Sequence, residues 1–149
     1  MAKSRPEALL DSNVVVAALV QGHLHHTPSA RLFLLPERHY AIAAHSYAEA
    51  YNVLTRTSGP APYAFAPQIA WRALQSVVGA TQLVGLTPLQ IVDGIRRFAE
   101  ADGTGPRLYD ALIAEAAMQS GVRRLITWNI GHMRGLGLSL EVLTPAEAA

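Results

Sequence analysis

Apolar positions in this chain follow two rhythms. Short, nearly continuous apolar runs bounded by polar or turn-forming residues alternate with longer stretches in which apolar residues recur about every 3.6 positions. The first run, Glu7-Ala8-Leu9-Leu10, ends at the polar triplet Asp11-Ser12-Asn13 and is followed by Val14-Val15-Val16-Ala17-Ala18-Leu19. The valines alone would also suit a strand; the triplet makes a natural strand-to-helix break, and predicts a buried strand, a turn and a helix. Gln21 to Thr27 read as a loop, and Thr27-Pro28-Ser29 open a second helix that runs to about Leu35 and stops at Pro36. His39–Ala43 is a second strand. Ser46 then caps a helix to about Arg56 with Tyr47, Ala50, Tyr51 and Leu54 as its core stripe. The proline-rich segment from Thr57 to Pro67 is a loop, and a helix from Pro67 ends near Gly79. A strand over Thr81–Leu86 leads to a helix opened by Thr87-Pro88, with Ile91, Ile95 and Phe98 on one side, and Asp102–Gly105 breaks it. The next helix carries Asp110 and ends at Gly121; Arg124–Thr127 is a strand, Trp128 to Gly137 a loop, and Leu138–Leu143 a last strand closed by Thr144-Pro145.

Strands and helices thus alternate from end to end. That order predicts an α/β domain with a mainly parallel sheet, whose sites lie beyond the carboxyl ends of the strands where strand order reverses. The 149 residues fit a single domain over 1–149, long enough to bury a core without staples. Met1–Glu7 superficially resembles the charged start of a secretory leader, but Asp11 and Asn13 interrupt the apolar segment behind it, and Asp11, His45 and Glu49 break every window that could span a membrane. The expectation is a cytoplasmic protein. Cysteine is absent, which removes disulfides, thiolate nucleophiles and Cys-rich zinc sites. The net charge of +1 excludes a strong overall basic field, so any nucleic-acid contact must be local. The only lysine is Lys3, which argues against chemistry that needs an internal catalytic lysine.

Against this background Asp110 stands out. Its helical face is shared with Ile113, Ala114 and Ala117, and the adjoining stripe of Tyr109, Leu112 and Ala116 is also apolar. A carboxylate there needs a cation, a metal or a ring of donors. Its place near the helix N-terminus, after Pro106, offers a simpler structural role. Other acids share its topological address: Asp11 follows the first strand, Glu49 lies in the first turn of the helix after the second, and Asn129 follows the later strand. Clustered carboxylates repel, and a hard divalent cation with oxygen ligands, Mg²⁺ or Mn²⁺, is the simplest compensation. Taken singly, Asp11 has an equal claim to be a helix cap, and Ser46-x-x-Glu49 matches a capping box.

Four segments in order, Leu9-Leu10-Asp11-Ser12-Asn13-Val14, Ser46-Tyr47-Ala48-Glu49-Ala50-Tyr51-Asn52-Val53-Leu54, Tyr109-Asp110-Ala111-Leu112-Ile113-Ala114 and Leu125-Ile126-Thr127-Trp128-Asn129-Ile130-Gly131-His132-Met133, resemble the PIN-domain ribonucleases, in particular the VapC toxins of bacterial toxin-antitoxin pairs. The resemblance implies a three-layer α/β/α domain and a Mg²⁺- or Mn²⁺-dependent endoribonuclease that leaves a 5′-phosphate and a 3′-hydroxyl. It assigns metal-ligand or acidic-site roles to Asp11, Glu49 and Asp110. A further Asp is common in the family where this chain has Asn129, which can coordinate through its carbonyl but adds no charge. Direct coordination falls to Asp11 and Asp110, metal or water positioning to Glu49, and hydrogen bonding to Ser12, Thr127 and Asn129. Family members commonly cut tRNA or ribosomal RNA, form homodimers, and are held inactive by a cognate VapB-type antitoxin whose C-terminal segment occupies the groove. Arg56, Arg107 and Arg134 are the candidate phosphate contacts, by their nearness in sequence to the acids.

Other residues carry blander readings. His23, His25 and His26 lack metal-ligand spacing and an acidic companion, and His132 is read as an ordinary loop histidine. Trp71, Tyr47 and Tyr51 fall at core spacing and are read as packing or interface, and Arg96-Arg97 and Arg123-Arg124 as solvated faces or strand edges. A phospho-aspartate domain would need a second acid beside Asp11 and a later lysine, and a nucleotide-binding loop would need Gly-Lys-Ser/Thr; the chain has neither. The remaining alternative is a PIN-like module, weakened at Asn129, that binds RNA or a protein partner without cutting.

Overall fold

The computed structural model describes residues 5–60 and 62–148; Met1–Ser4, weighed above as part of a leader, lie outside the described residues. Five strands, β1 (Ala8–Leu10), β2 (Tyr40–Ala43), β3 (Gln82–Val84), β4 (Arg124–Ile126) and β5 (Glu141–Leu143), form one sheet in the order β3-β2-β1-β4-β5. Every neighbouring pair is parallel. The helices are α1 (Ser12–Leu19), α2 (His26–Leu32), α3 (Ala44–Thr55), α4 (Pro67–Ala80), α5 (Pro88–Glu100), α6 (Arg107–Ser120), α7 (Ile130–Arg134) and α8 (Pro145–Ala148).

The side-chain period of two along each strand sorts the core into two layers. Ala8, Leu10, Tyr40, Ile42 and Ile126 pack with α1 to α4 on one face, while Leu9, Ala41, Ala43, Leu125 and Val142 pack with α6 and α7 on the other. This is the three-layer α/β/α arrangement expected from the sequence. β1 and β2 are buried along their whole length, which is why they read as unbroken apolar runs. The edge strand β3 is mostly exposed, and its shortness limits the unpaired edge. Among the described residues no helix is long and apolar enough to cross a membrane.

Several elements depart from the sequence reading. The chain passes from β2 into α3 without an intervening residue, so the helix begins at Ala44 with Ala43 at its cap position and no side-chain cap. Ser46 therefore sits inside the helix, its hydroxyl buried and without a hydrogen-bond partner, and no capping box forms with Glu49. Glu49 accordingly lies beyond the first turn of α3. Tyr51, expected in the core stripe of α3, is 37% exposed, whereas Ala50 and Leu54 are buried as expected. The segment Trp128–Gly137, expected to be a loop, contains the short helix α7, which Met133 anchors in the core. α5 has no buried residue. Its Thr87 and Gln90 form a reciprocal capping box, and Arg97 clamps it to α6 through the buried Glu115 at 2.6 Å. Gly121 ends α6 in the left-handed conformation, φ +74°.

Candidate functional site

From β1 the chain lays β2 and β3 to one side and later returns to place β4 on the other. The reversal of strand order falls between β1 and β4, and the crevice beyond their carboxyl ends is where this architecture places ligands. Asp11 and Thr127, 116 positions apart in sequence, meet there.

Asp11 follows β1 and caps α1, with its Oδ1 accepting the Ser12 N–H at 2.7 Å. Its Oδ2 accepts the Thr127 hydroxyl at 2.9 Å and the Asn13 side-chain amide at 3.4 Å. The Thr127 hydroxyl also accepts from Asn13 at 3.2 Å and from the Asn129 N–H at 3.0 Å, so its single proton is directed to Asp11. Asp11 is only 3% exposed, and no cation is paired with it among the described residues. Burial pushes it up from 3.8 to about 6, against the lowering effect of the Thr127 and Ser12 hydrogen bonds; the nearby charges of Asp110 and Glu49 raise it further.

Ser12 joins the second acid to the first, since its Oγ donates to Glu49 Oε2 at 2.9 Å. Glu49 Oε1 lies 2.7 Å from His45 Nε2, one turn earlier on α3, and the His45 ring stacks on Tyr109 of α6. On α6, Asp110 Oδ2 accepts the Asn129 side-chain amide at 3.4 Å and lies 3.2 Å from His132 Nε2, a distance suited to an ion pair but not aligned as a hydrogen bond. Burial raises Asp110 above the ordinary carboxylate range; His132 opposes this, Glu49 adds to it and Arg107 opposes it. The sequence made Asp110 the carboxylate denied to water. The structure gives that position to Asp11, because Asp110 lies beside the exposed Arg107 and half-exposed Tyr109 on the open side of α6.

Asp11, Glu49, Asp110, Asn129, Ser12 and Thr127 thus converge. Among the described residues no three His, Asp or Glu side chains are drawn close enough to form a finished metal cluster. The donors nonetheless fit a hard divalent ion: carboxylate and amide oxygens, with Asp11 raised by burial and then by the charges of Asp110 and Glu49, and Asp110 raised by burial and then by the charge of Glu49. The arginines divide. Arg107 opens α6 next to a groove of about 860 Å³ that His132, Phe98 and Leu136 also line. Arg56, at the end of α3, reaches only the Pro60 carbonyl, at 3.4 Å, among the described residues. Arg134 is held by the Val142 carbonyl at 2.9 Å and by Glu147 at 3.4 Å, which fastens α7 to β5 and α8.

Three residues escaped the sequence reading. Asn13 was legible as the second polar position after Asp11, and His45 as the residue four before Glu49 on one helix face. His132 was set aside as a loop residue, although it stands three after Asn129 on what is the first turn of α7.

The PIN domain profile matches residues 8–130. The chain is 32% identical over 115 residues to Ribonuclease VapC27 of Mycobacterium tuberculosis, spanning 77% of this chain and 80% of the relative. It is 30% identical over 115 residues to Ribonuclease VapC40 of the same species, spanning 77% and 81%. Among solved structures it is similar to Mycobacterium tuberculosis VapC20, a toxin that cleaves the sarcin-ricin loop, with a TM-score of 0.69 at 14% identity over 88% of this chain and 95% of that one. It is also similar in fold to VapBC2 from Rickettsia felis bound to a fragment of promoter DNA, with a TM-score of 0.62 at 19% identity over 91% and 97%.

Proposed function

Because the chain belongs to the PIN-domain family, we propose that it is a VapC-type endoribonuclease, dependent on Mg²⁺ or Mn²⁺, that hydrolyses RNA phosphodiesters beyond the ends of β1 and β4. The observation that carries this reading is the buried Asp11 carboxylate, which has hydrogen-bond donors but no cationic partner among the described residues and lies within the field of two further acids. Asp11 and Asp110 would hold the ion directly, with Glu49 positioning it or a water. When bound, the ion offsets the charge that builds on the phosphoryl oxygens and makes a water nucleophilic at neutral pH, so that cleavage leaves a 5′-phosphate and a 3′-hydroxyl.

The protein's own groups prepare this chemistry. Thr127, Asn13 and the Ser12 N–H fix the Asp11 carboxylate, and the Ser12 hydroxyl fixes Glu49. Asn129 donates to Asp110 Oδ2, and His132 stands beside the same oxygen. Asn129 supplies no charge, which favours one ion over two. Arg107 gives the groove beside Asp110 a positive wall for RNA phosphates. Arg56 would reach RNA at the far end of α3, and Arg134 only by leaving Glu147.

The partners in this reading are a structured RNA such as tRNA or ribosomal RNA, a second copy of the chain, and a VapB-type antitoxin that blocks the groove. Work on cytoplasmic RNA and a toxin-antitoxin pairing fit a cytoplasmic location. Total bacterial RNA incubated with wild type and with Asp110→Asn, in Mg²⁺ or Mn²⁺, tests the reading, with circular dichroism to establish that both fold. Discrete metal-dependent fragments from wild type alone are expected. Intact RNA with freshly purified, antitoxin-free protein would favour a non-cutting binding module, and equal fragments from both proteins would overturn the assignment of Asp110.

A further inference from the structure

The loop between α1 and α2 brings aromatic rings against the strand end that carries the candidate site. His25 lies flat on Trp128, with ring centroids 3.8 Å apart and planes within 11°. His23 tilts against His25 at 5.8 Å, and Tyr63 against His23 at 6.3 Å. Trp128 is fixed at both ends. Its indole N–H donates to the hydroxyl of the fully buried Ser29 at 2.9 Å, and its backbone N–H donates to Asn13 Oδ1 at 3.0 Å.

The same Asn13 side chain donates to Asp11, and the residues flanking Trp128 touch the acids, Thr127 at Asp11 and Asn129 at Asp110. An immobilised aromatic shelf therefore begins within one residue of the groups that hold both carboxylates. His23, His25, Tyr63 and Trp128 are half-buried residues, Tyr63 and Trp128 packing against the core, while Leu24 between the histidines is 89% exposed. Burial, with His25 and His26 nearby, pushes His23 below its ordinary range, which favours the neutral ring.

We propose that the His25–Trp128 stack receives an unpaired base of the RNA beside the cleaved phosphate, making His25 a base-contacting residue that biases which nucleotide stands there. This rests on the ribonuclease reading above. Base stacking on aromatic rings tolerates every base and favours those with the larger ring face, so the bias is toward purines.

The test uses Asp110→Asn protein that also carries Trp71→Phe, which leaves Trp128 as the only tryptophan. It is titrated in Mg²⁺ with a single-stranded oligoadenylate and with an abasic oligomer of the same length, following tryptophan fluorescence. The oligoadenylate should perturb the fluorescence and bind roughly tenfold more tightly than the abasic chain. His25→Ala should remove that advantage without changing the abasic affinity, and His25→Phe should keep it. Equal affinities for the two oligomers, or an equal loss of both in His25→Ala, would overturn the proposal and leave the stack as packing. Cleavage by wild type is scored in parallel, so loss of the base advantage with cleavage intact refutes the stacking alone, and the advantage without cleavage refutes the nuclease alone.

Discussion

Asp11→Asn is expected to make the metal-free protein more stable at pH 7.5 while abolishing RNA cleavage. Asp11 titrates near 3.8 in the unfolded chain and at about 6 in the folded one. The folded state therefore binds the proton more tightly, and the stability of wild type falls as pH rises from about 4 to about 6. Above that window the ionised, buried carboxylate costs about 3 kcal/mol, at about 1.4 kcal/mol for each pH unit separating the two titrations. Asn removes this cost at nearly constant volume, and its Oδ1 still accepts the Ser12 N–H. Its amide then faces a Thr127 hydroxyl that already accepts from Asn13 and Asn129, a donor conflict that takes back about 1 kcal/mol. The net gain of about 2 kcal/mol corresponds to a rise in Tm of roughly 4–8 °C for a domain of this size. Thermal melts of both proteins in EDTA, at pH 4 and pH 7.5, read the effect directly. The variant should melt higher at pH 7.5, and the advantage should vanish or reverse at pH 4, where Asp11 is protonated. A variant that is less stable at pH 7.5, by the same margin at both pH values, would show that burial of the charge is not what destabilises wild type.

Mg²⁺ or Mn²⁺ should raise the Tm of wild type more at pH 7.5 than at pH 5, because protons compete for Asp11; saturation at 100 times the Kd stabilises by about 2.7 kcal/mol, and Asp110→Asn should lose most of the gain. Thr127→Val removes the hydroxyl that donates to Asp11 and the acceptor used by Asn13 and Asn129. It should lower stability by about 1–3 kcal/mol and move the acidic limb of the cleavage pH profile to higher pH; an unmoved limb would show that this hydrogen bond does not tune Asp11. Gly121→Ala would bring a Cβ only to ordinary contact with the Arg5 side chain at 3.7 Å but forces an alanine to φ +74°, so denaturant unfolding should register a loss of roughly 1–2 kcal/mol with cleavage unchanged.

The sheet was legible because β1, β2 and β4 are short apolar runs punctuated by Asp-Ser-Asn, by the α3 helix and by Trp-Asn, each a local signal. The acids were legible as residues placed after strands. Their ranking was not, since whether Asp11 or Asp110 is the buried one depends on β4 lying beside β1, a pairing across more than 110 positions that no local pattern encodes. Local rules misled at α3, where Ser46-x-x-Glu49 matched a capping box but the helix is capped at Ala43, three residues earlier. Glu49 instead reaches Ser12, 37 positions away. Helix α7 was missed because it is short and contains Gly131, and its turn is what brings His132 to Asp110. The stacking of His25 on Trp128 could not be read from the sequence, because it depends on α2 docking beside the end of β4.

Whether Asp11 and Asp110 hold one divalent ion between them can be seen in crystals grown with Mn²⁺ and measured where manganese scatters anomalously. An anomalous peak is expected at coordination distance from both carboxylates, with Glu49 at or one water away from the ion. A well-occupied peak elsewhere, with Asp11 still bonded only to Thr127, Asn13 and Ser12, would contradict the assignment of these acids as metal ligands.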